Sequence, residues 1–244
     1  MIIASEWAGA AARNNAEWCD AVCRAHGVPG EFGAGVWSSA RRTPPLYPDA
    51  VSLTPGIAPD DLLARIDTAS PGCSVKDSFA CLDLEPWGFE VLFEAQWIHR
   101  PAGAAPVGHP AVSWEPLKSA DALPVWESAW NDGEGGLGLF RPELLAGDTT
   151  SGDTVFLAGT STDGVIVAGA VASRSASVIG VSNLFAVGDA TRGEAAAWAG
   201  CLTEIDRLWP GLPVVGYESG ASLDIAVGQG FTPVGPLRIW VHTD

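Results

Sequence analysis

The sequence predicts a mixed α/β (α+β) fold built from two unequal halves, and three observations carry that expectation. Strand-like and helix-like apolar patterns alternate along most of the 244 residues. A set of short segments recurs in the same order in the two halves. Between the halves stands "PAGAAPVGHPA", residues 101–111, whose Pro, Ala and Gly read as a linker. The expected domains are therefore 1–100, an incomplete half, and 112–244, a fuller one.

At 47% hydrophobic and 17% charged, the chain has the material for a full core. It contains no apolar run of bilayer-spanning length, and "MIIASEWAGAAARNN" lacks the basic start and long apolar centre of a signal peptide. A cytoplasmic protein with no membrane partner is expected. The net charge of −16, with only 13 Lys and Arg, argues against nucleic acid, because neutralising phosphates needs a basic surface. An anionic cofactor would have to be held by local donors, whereas a cationic amine would be drawn in by the overall field. The five cysteines are expected to be reduced. Cys19, Cys23 and His26 lie at helical spacing but lack an evident fourth ligand, so no metal is expected.

Each element can be justified in order. Residues 5–26 place Trp18, Val22 and Ala25 on one helical face, with Gly27 as the stop. "RRTPPLYPDA" is extended, since each Pro disfavours helix before it. "AVSL" at 50–53 is a short strand, and "APDDLLARIDTASPG" reads as a helix from Pro59 towards Pro71 and Gly72. Strand, short helix and strand follow up to residue 100. In the second half, "VSWEP" is a strand, "ADALPVWESAW" a helix, "NDGEGGLGLF" a flexible loop and "RPELLAG" a short helix. Three successive strands follow, "TVFLAGT", "GVIVAGAVASRS" and "SVIGVSNLFAV". A turn through Gly188, Asp189, Thr191 and Gly193 leads to a helix from Glu194 to Trp209, with Trp198, Leu202, Ile205 and Trp209 at helical spacing. "PVVGYES" is a strand, "ASLDIAVGQ" a short helix, and "GFTPVGPLRIWVH" the last strand or a hairpin.

The repeat is ordered. "AVSL" at 50 answers "GVSN" at 180, "IDTASPG" at 66 answers "IDRLWPG" at 205, and "KDSFACLDL" at 76 answers "YESGASLDI" at 217. Gly-Phe recurs at Gly88 and Gly230, and "WIH" at 97 answers "WVH" at 240. Only the second half carries the long helix and the small-residue turn before it. Two copies of a strand–helix–strand–helix–strand unit, one of them degenerate, would give this pattern.

In the strand "VIGVSNLFAV", the turn "ATRGEA" and the closing "GF" before "PLRIWV", residues 113–244 resemble the GNAT N-acetyltransferase superfamily. The resemblance implies two GNAT-like mixed-sheet halves, with acetyl-coenzyme A (acetyl-CoA) lying along Phe185, Ala186 and Val187 of the strand. It also implies that the pyrophosphate sits on the following turn. The family reads Gln or Arg, two residues, Gly, one residue, then Gly or Ala there; here the six are Ala190, Thr191, Arg192, Gly193, Glu194 and Ala195. Gly193 and Ala195 fit, while Ala190 departs from the pattern and Arg192 supplies a cation two places on. Independently of any family, a helix start offers unpaired N–H groups and a partial positive charge to a pyrophosphate.

The implied function is acetyl-CoA-dependent N-acetyl transfer to a small amine, with a non-catalytic acyl-CoA-binding or sensing protein as the alternative. The family commonly places a Tyr acid four residues before the Gly of the final Gly-Phe; that position here is Ala226. Tyr217 or Ser219, on the preceding strand end, can donate to the thiolate, and Glu218 can act as base. Strand alternation sends Tyr217 and Glu218 to opposite faces. Asn183, an amide inside an apolar strand, is a candidate for the acceptor pocket. The oligomeric state has no signature in the sequence.

Overall fold

The computed structural model of the protein describes residues 4–105, 107–108, 112–145, 154–188 and 190–243. In chain order the elements begin with helix α1 (Ala4–Ala25), strands β1 (Glu31–Gly33), β2 (Val36–Ser38) and β3 (Ala50–Ser52), and the short helix α2 (Pro59–Leu63). Strands β4 (Ser74–Asp77), β5 (Phe89–Arg100) and β6 (Ser113–Pro116) follow, then helix α3 (Leu123–Trp130). Strands β7 (Thr154–Thr160), β8 (Ile166–Arg174) and β9 (Ile179–Ala186) lead to helix α4 (Ala190–Leu208). Strand β10 (Val214–Glu218), helix α5 (Gly220–Gly228) and strand β11 (Thr232–His242) complete the chain. The fold is the mixed α/β class expected, with one large mixed sheet in the order β1-β2-β3-β4-β11-β5-β10-β9-β8-β7-β6. Among the described residues no helix is long and apolar enough to cross a membrane. Part of the 101–111 stretch and Asp189 lie outside the described residues.

The contacts divide the chain into two compact units, Met1–Trp97 with Val234–Asp244, and Ile98–Pro233. In the first unit α1 buries Ala8, Ala12, Ala16, Cys19 and Cys23 at three- and four-residue spacing. Burial pushes the Cys19 thiol up to about 11, as befits a small apolar side chain rather than a reactive thiol. Helix α1 stops at Gly27, whose left-handed φ of 70° is the expected C-terminal turn. The β1–β2 hairpin, which sequence patterning missed, turns at Gly35 and is held by Asp20, which accepts from Trp37 Nε1 and Gly30 N at 3.0 Å each. Strand β3 runs parallel to β4, with Ala50 opposite Val75 and Val51 opposite Lys76. The other side of β4 is taken by β11, antiparallel, with Trp240 opposite Val75.

The helix expected over residues 58–72 shortens to α2. The cause is local: Asp67 accepts from Ala69 N, Ser70 N and Ser70 Oγ, a side-chain turn that competes with helical bonding. Of the expected "RPELLAG" helix, Pro142–Leu144 form a single tight turn in the second unit, and Ala146 and Gly147 lie outside the described residues.

In that second unit the core joins α4 to the sheet through Trp198, Leu202, Ile205, Val214, Ile179 and Val181, with Ala226 and Phe231 closing one end. The helical spacing read from sequence is thus the buried face of α4. Strand β8 sends Ala168, Ala170 and Ala172 to that side. Gly169, on the opposite side, leaves room for the Trp126 and Phe185 rings, each within 2.6 Å of where a side chain would begin. Helices α3 and α4 therefore cover opposite faces. Trp114, Trp126, Trp198 and Trp240 are all buried, as core tryptophans should be.

Helix α4 begins at Ala190, four residues before the expected Glu194. The "ATRGEA" segment is thus its first turn and not a loop ahead of it. Gly193 was read as a turn residue, but its missing side chain has a packing cause: a Cβ there would stand 3.0 Å from Ala186 Cβ. Gly in a helix costs roughly 0.5–1 kcal/mol relative to Ala, and the close approach of helix to strand offsets it.

Candidate functional site

The site is created by a defect in β9. Val171 lies opposite Ser182, but two rungs on Gly169 faces Phe185, so Asn183 and Leu184 together oppose only Ala170. That is a β-bulge. It is seated on Asn183, whose φ of 53° is left-handed. Such a conformation costs an ordinary residue roughly 1–2 kcal/mol, and Asn is among the few that tolerate it.

The bulge changes which residues face where. Ile179 and Val181 point into the α4 core, and past the bulge so do Leu184 and Ala186. Phe185 turns instead to the α3 face, where its ring meets Trp126 edge-on at 5.1 Å. Val187 stands 51% exposed at the strand's end, next to Gly188 and the start of α4.

Strand β10 lies parallel to β9 for only two residues, Val214 opposite Ile179 and Val215 opposite Gly180. Gly216 marks the fork; a Cβ there would lie 3.2 Å from the Val181 carbonyl oxygen. Beyond it the two strands part. Among the described residues the pairing of β9 with β10 ends there. At the C-terminal ends of the two strands, Glu218 ends β10 and α4 follows β9.

Glu218 is the unusual group here. Its carboxylate accepts no hydrogen bond among the described residues. Burial, with the like charge of Glu194 second, pushes its pKa up to about 7 from an ordinary 4.5. Glu194 turns away from the helix axis towards α5, where Ser222 Oγ donates to its Oε2 at 3.1 Å. Alternation along β10 places Glu218 on the α4 side with Val214, and Tyr217 on the α3 side with Phe185. Ser219 is exposed at the N-cap of α5 and makes no capping bond. Ala226 is wholly buried in the α4–α5 core. Gly193 and Ala195 lie half-buried on the first turns of α4, while the side chains of Thr191 and Arg192 lie outside the described residues.

On the α3 face the aromatic rings form one cluster. Trp126 packs edge-on against Phe140 at 5.3 Å and Phe156 at 5.1 Å, and donates from Nε1 to the Leu157 carbonyl at 2.8 Å. Trp130 joins through Phe140 at 5.5 Å. Among the described residues no group of three His, Cys, Asp or Glu side chains is placed to hold a metal ion.

Solved structures share the overall fold. A GCN5-related N-acetyltransferase from Kribbella flavida superposes with a TM-score of 0.66 over 96% of each chain, at 16% identity. The fold is that of the GNAT acetyltransferases. A GNAT-family protein from Novosphingobium aromaticivorans gives a TM-score of 0.54 at 13% identity, over 93% of this chain and 96% of its own. A conserved protein from Staphylococcus epidermidis, described as functionally unknown, gives 0.53 at 12% identity, over 72% of this chain and 74% of its own. No protein-family model matches the sequence, and no curated protein is similar to it. The GNAT fold is therefore visible in the structure and nearly absent from overall sequence similarity.

Proposed function

We propose that the chain is an acyl-CoA-dependent N-acyltransferase that moves an acetyl group from acetyl-CoA to a small amine. The observation that carries this reading is the fork between β9 and β10, with Glu218 at its mouth and the first turn of α4 beside it. In this reading the acyl-pantetheine arm enters the fork and runs along Phe185, Ala186 and Val187, where the Val187 N–H is already taken by the Val167 carbonyl. The pyrophosphate lies at the start of α4, on the unpaired N–H groups of Thr191 and Arg192, with Gly193, Glu194 and Ala195 of the next turn beside it. The turn of Glu194 towards Ser222 keeps its charge off the helix axis. Asn183 holds the bulge beside the acceptor.

The chemistry is acyl transfer. The amine must first lose a proton, and Glu218 takes it; a base of pKa about 7 is half ionised at neutral pH and suited to the task. The amine nitrogen then attacks the thioester carbonyl carbon. The C–N bond forms, the C–S bond breaks, and the proton that the nitrogen sheds on becoming an amide passes through Ser219, Tyr217 or water to the departing thiolate. Ser219 and Tyr217 flank Glu218 in sequence, and Tyr217 lies on the α3 face.

The buried Ala226 at the family's usual acid position favours one alternative, a protein that binds acyl-CoA without turning it over. Release of free coenzyme A thiol over a panel of small amines separates the two. On an accepted amine, Glu218→Gln lowers turnover by about 10²–10⁴-fold and leaves acetyl-CoA affinity unchanged. Cofactor binding without turnover on any amine supports the sensor; unchanged turnover in the variant removes Glu218 as base.

A further inference from the structure

Strand β5 begins with a surface that neither the core nor the transfer chemistry uses. Phe89 is buried with Trp240 in the core of the first unit. The residues after it, Glu90 to Glu94, are all exposed. Side chains alternate along a strand, so Val91 and Phe93 stand on one face and Glu90, Leu92 and Glu94 on the other. A strand in a packed sheet normally buries at least one face. Here neither is covered: Val91 is 41%, Leu92 60% and Phe93 40% exposed. Trp87, two residues before Phe89, adds a ring that is 39% exposed. Single exposed apolar side chains are ordinary, but a cluster of them with a polar rim marks a surface that a partner covers.

The rim is acidic. Asp83, Glu85, Glu90 and Glu94 are all exposed, and the sequence holds no Lys or Arg between Asp77 and His99. Arg238, on β11, reaches Glu94 Oε1 and donates to it from Nη2 at 2.7 Å and from Nε at 2.9 Å. Among the described residues Glu85 and Glu90 have no cationic partner. The stretch that follows the second Gly-Phe, at Gly230, is finished differently. It reads Thr-Pro-Val-Gly-Pro over residues 232–236, with half-buried Val234 and Gly235 where β5 has Leu92 and Phe93. The exposed apolar run is thus a property of β5 and not of the strand that answers it.

The charges select the occupant. A second copy of a chain with net charge −16 would bring the same acids to the contact, and an anionic membrane would meet them too. We infer that Glu85–Glu94 is a docking surface for a polypeptide segment of another protein that carries Lys or Arg between apolar side chains. The apolar groups of that segment cover Trp87, Val91, Leu92 and Phe93, and its cations pair with Glu85 and Glu90.

The test titrates the full chain into a fluorescein-labelled peptide of alternating Lys and Leu, read by anisotropy, beside two controls with Glu in place of Lys or Ser in place of Leu. The parent is expected to bind the Lys–Leu peptide about tenfold or more tightly than either control. Leu92→Ser with Phe93→Ser is expected to weaken that binding about tenfold, and Glu85→Gln with Glu90→Gln about fivefold. Both pairs change only exposed side chains, so the fold is retained in at least one of them. Glu134→Gln with Glu143→Gln removes the same charge from exposed acids of the second unit and is expected to leave binding unchanged. Equal binding of the three peptides, binding untouched by the serines, or equal losses in the two glutamine proteins overturns the inference. A dimer in sedimentation that the serine pair dissociates also overturns it, because the patch then faces a second copy.

Discussion

The ends of two parallel strand pairs, β3–β4 and β9–β10, are built alike and finished differently. In both, a short strand pairs in parallel with the next over two residues, Ala50 and Val51 with Val75 and Lys76, and Ile179 and Gly180 with Val214 and Val215. In the first, the chain closes the pair: Ser78 N donates to Ser52 Oγ at 2.8 Å across its end. Asp77, which answers Glu218 in the sequence repeat, is 1% exposed and accepts from Leu82 N at 2.8 Å and Phe79 N at 3.3 Å. In the second, pairing stops after two residues beside a bulge and a glycine, and Glu218 is left half-buried with no hydrogen bond among the described residues. The helix after the first strand has 5 residues in one case and 19 in the other. A carboxylate at the end of a strand is a structural cap where donors surround it, and a candidate base where they do not.

We propose that the two pairs descend from one duplicated unit whose first copy lost its ligand site. The first predictions break that comparison at its two carboxylates. Asp77→Ala orphans one buried and one half-buried backbone N–H group, so it should cost about 2 kcal/mol in denaturant unfolding and leave acetyl-CoA affinity unchanged. Loss of affinity without loss of stability would place Asp77 in a ligand site. Glu218→Gln should act in the opposite sense on stability. A carboxylate whose folded pKa is raised is penalised when ionised, so the parent loses stability as pH rises from about 4.5 to about 7. The glutamine variant should lack that slope, matching the parent near pH 4 and exceeding it by about 3 kcal/mol at pH 8. A parallel pair of pH–stability curves would show that Glu218 is solvated. Asn183 sharpens the comparison further. Asn183→Gly should be nearly neutral and Asn183→Val should cost about 1 kcal/mol, because only the second resists the left-handed conformation. Equal costs would mean that the bulge sits elsewhere.

Much of the fold was legible in the sequence because local pattern determines it. The buried faces of α1 and α4 follow from residue spacing, and the Gly27 stop from its conformational freedom. The site was legible only in part. Glu218 and the first turn of α4 could be named from the strand–helix pattern and the family resemblance. The bulge could not, because it exists only in the register of β9 against β8. Gly193 misled as a turn residue, since its cause is Ala186 on a different element. The partner of β4 is β11, more than 150 residues away, and no local signal encodes that pairing.

The central claim is that the opened strand pair, and not the closed one, holds acyl-CoA. Hydrogen exchange of backbone amides with and without saturating acetyl-CoA tests it most directly. At about a hundred times its dissociation constant the cofactor should stabilise the chain by about 2.7 kcal/mol. Protection should concentrate in residues 182–187 and 190–195 and leave 50–53 and 59–63 unchanged. Protection at Ser52 and α2, or none at the fork, would contradict the account.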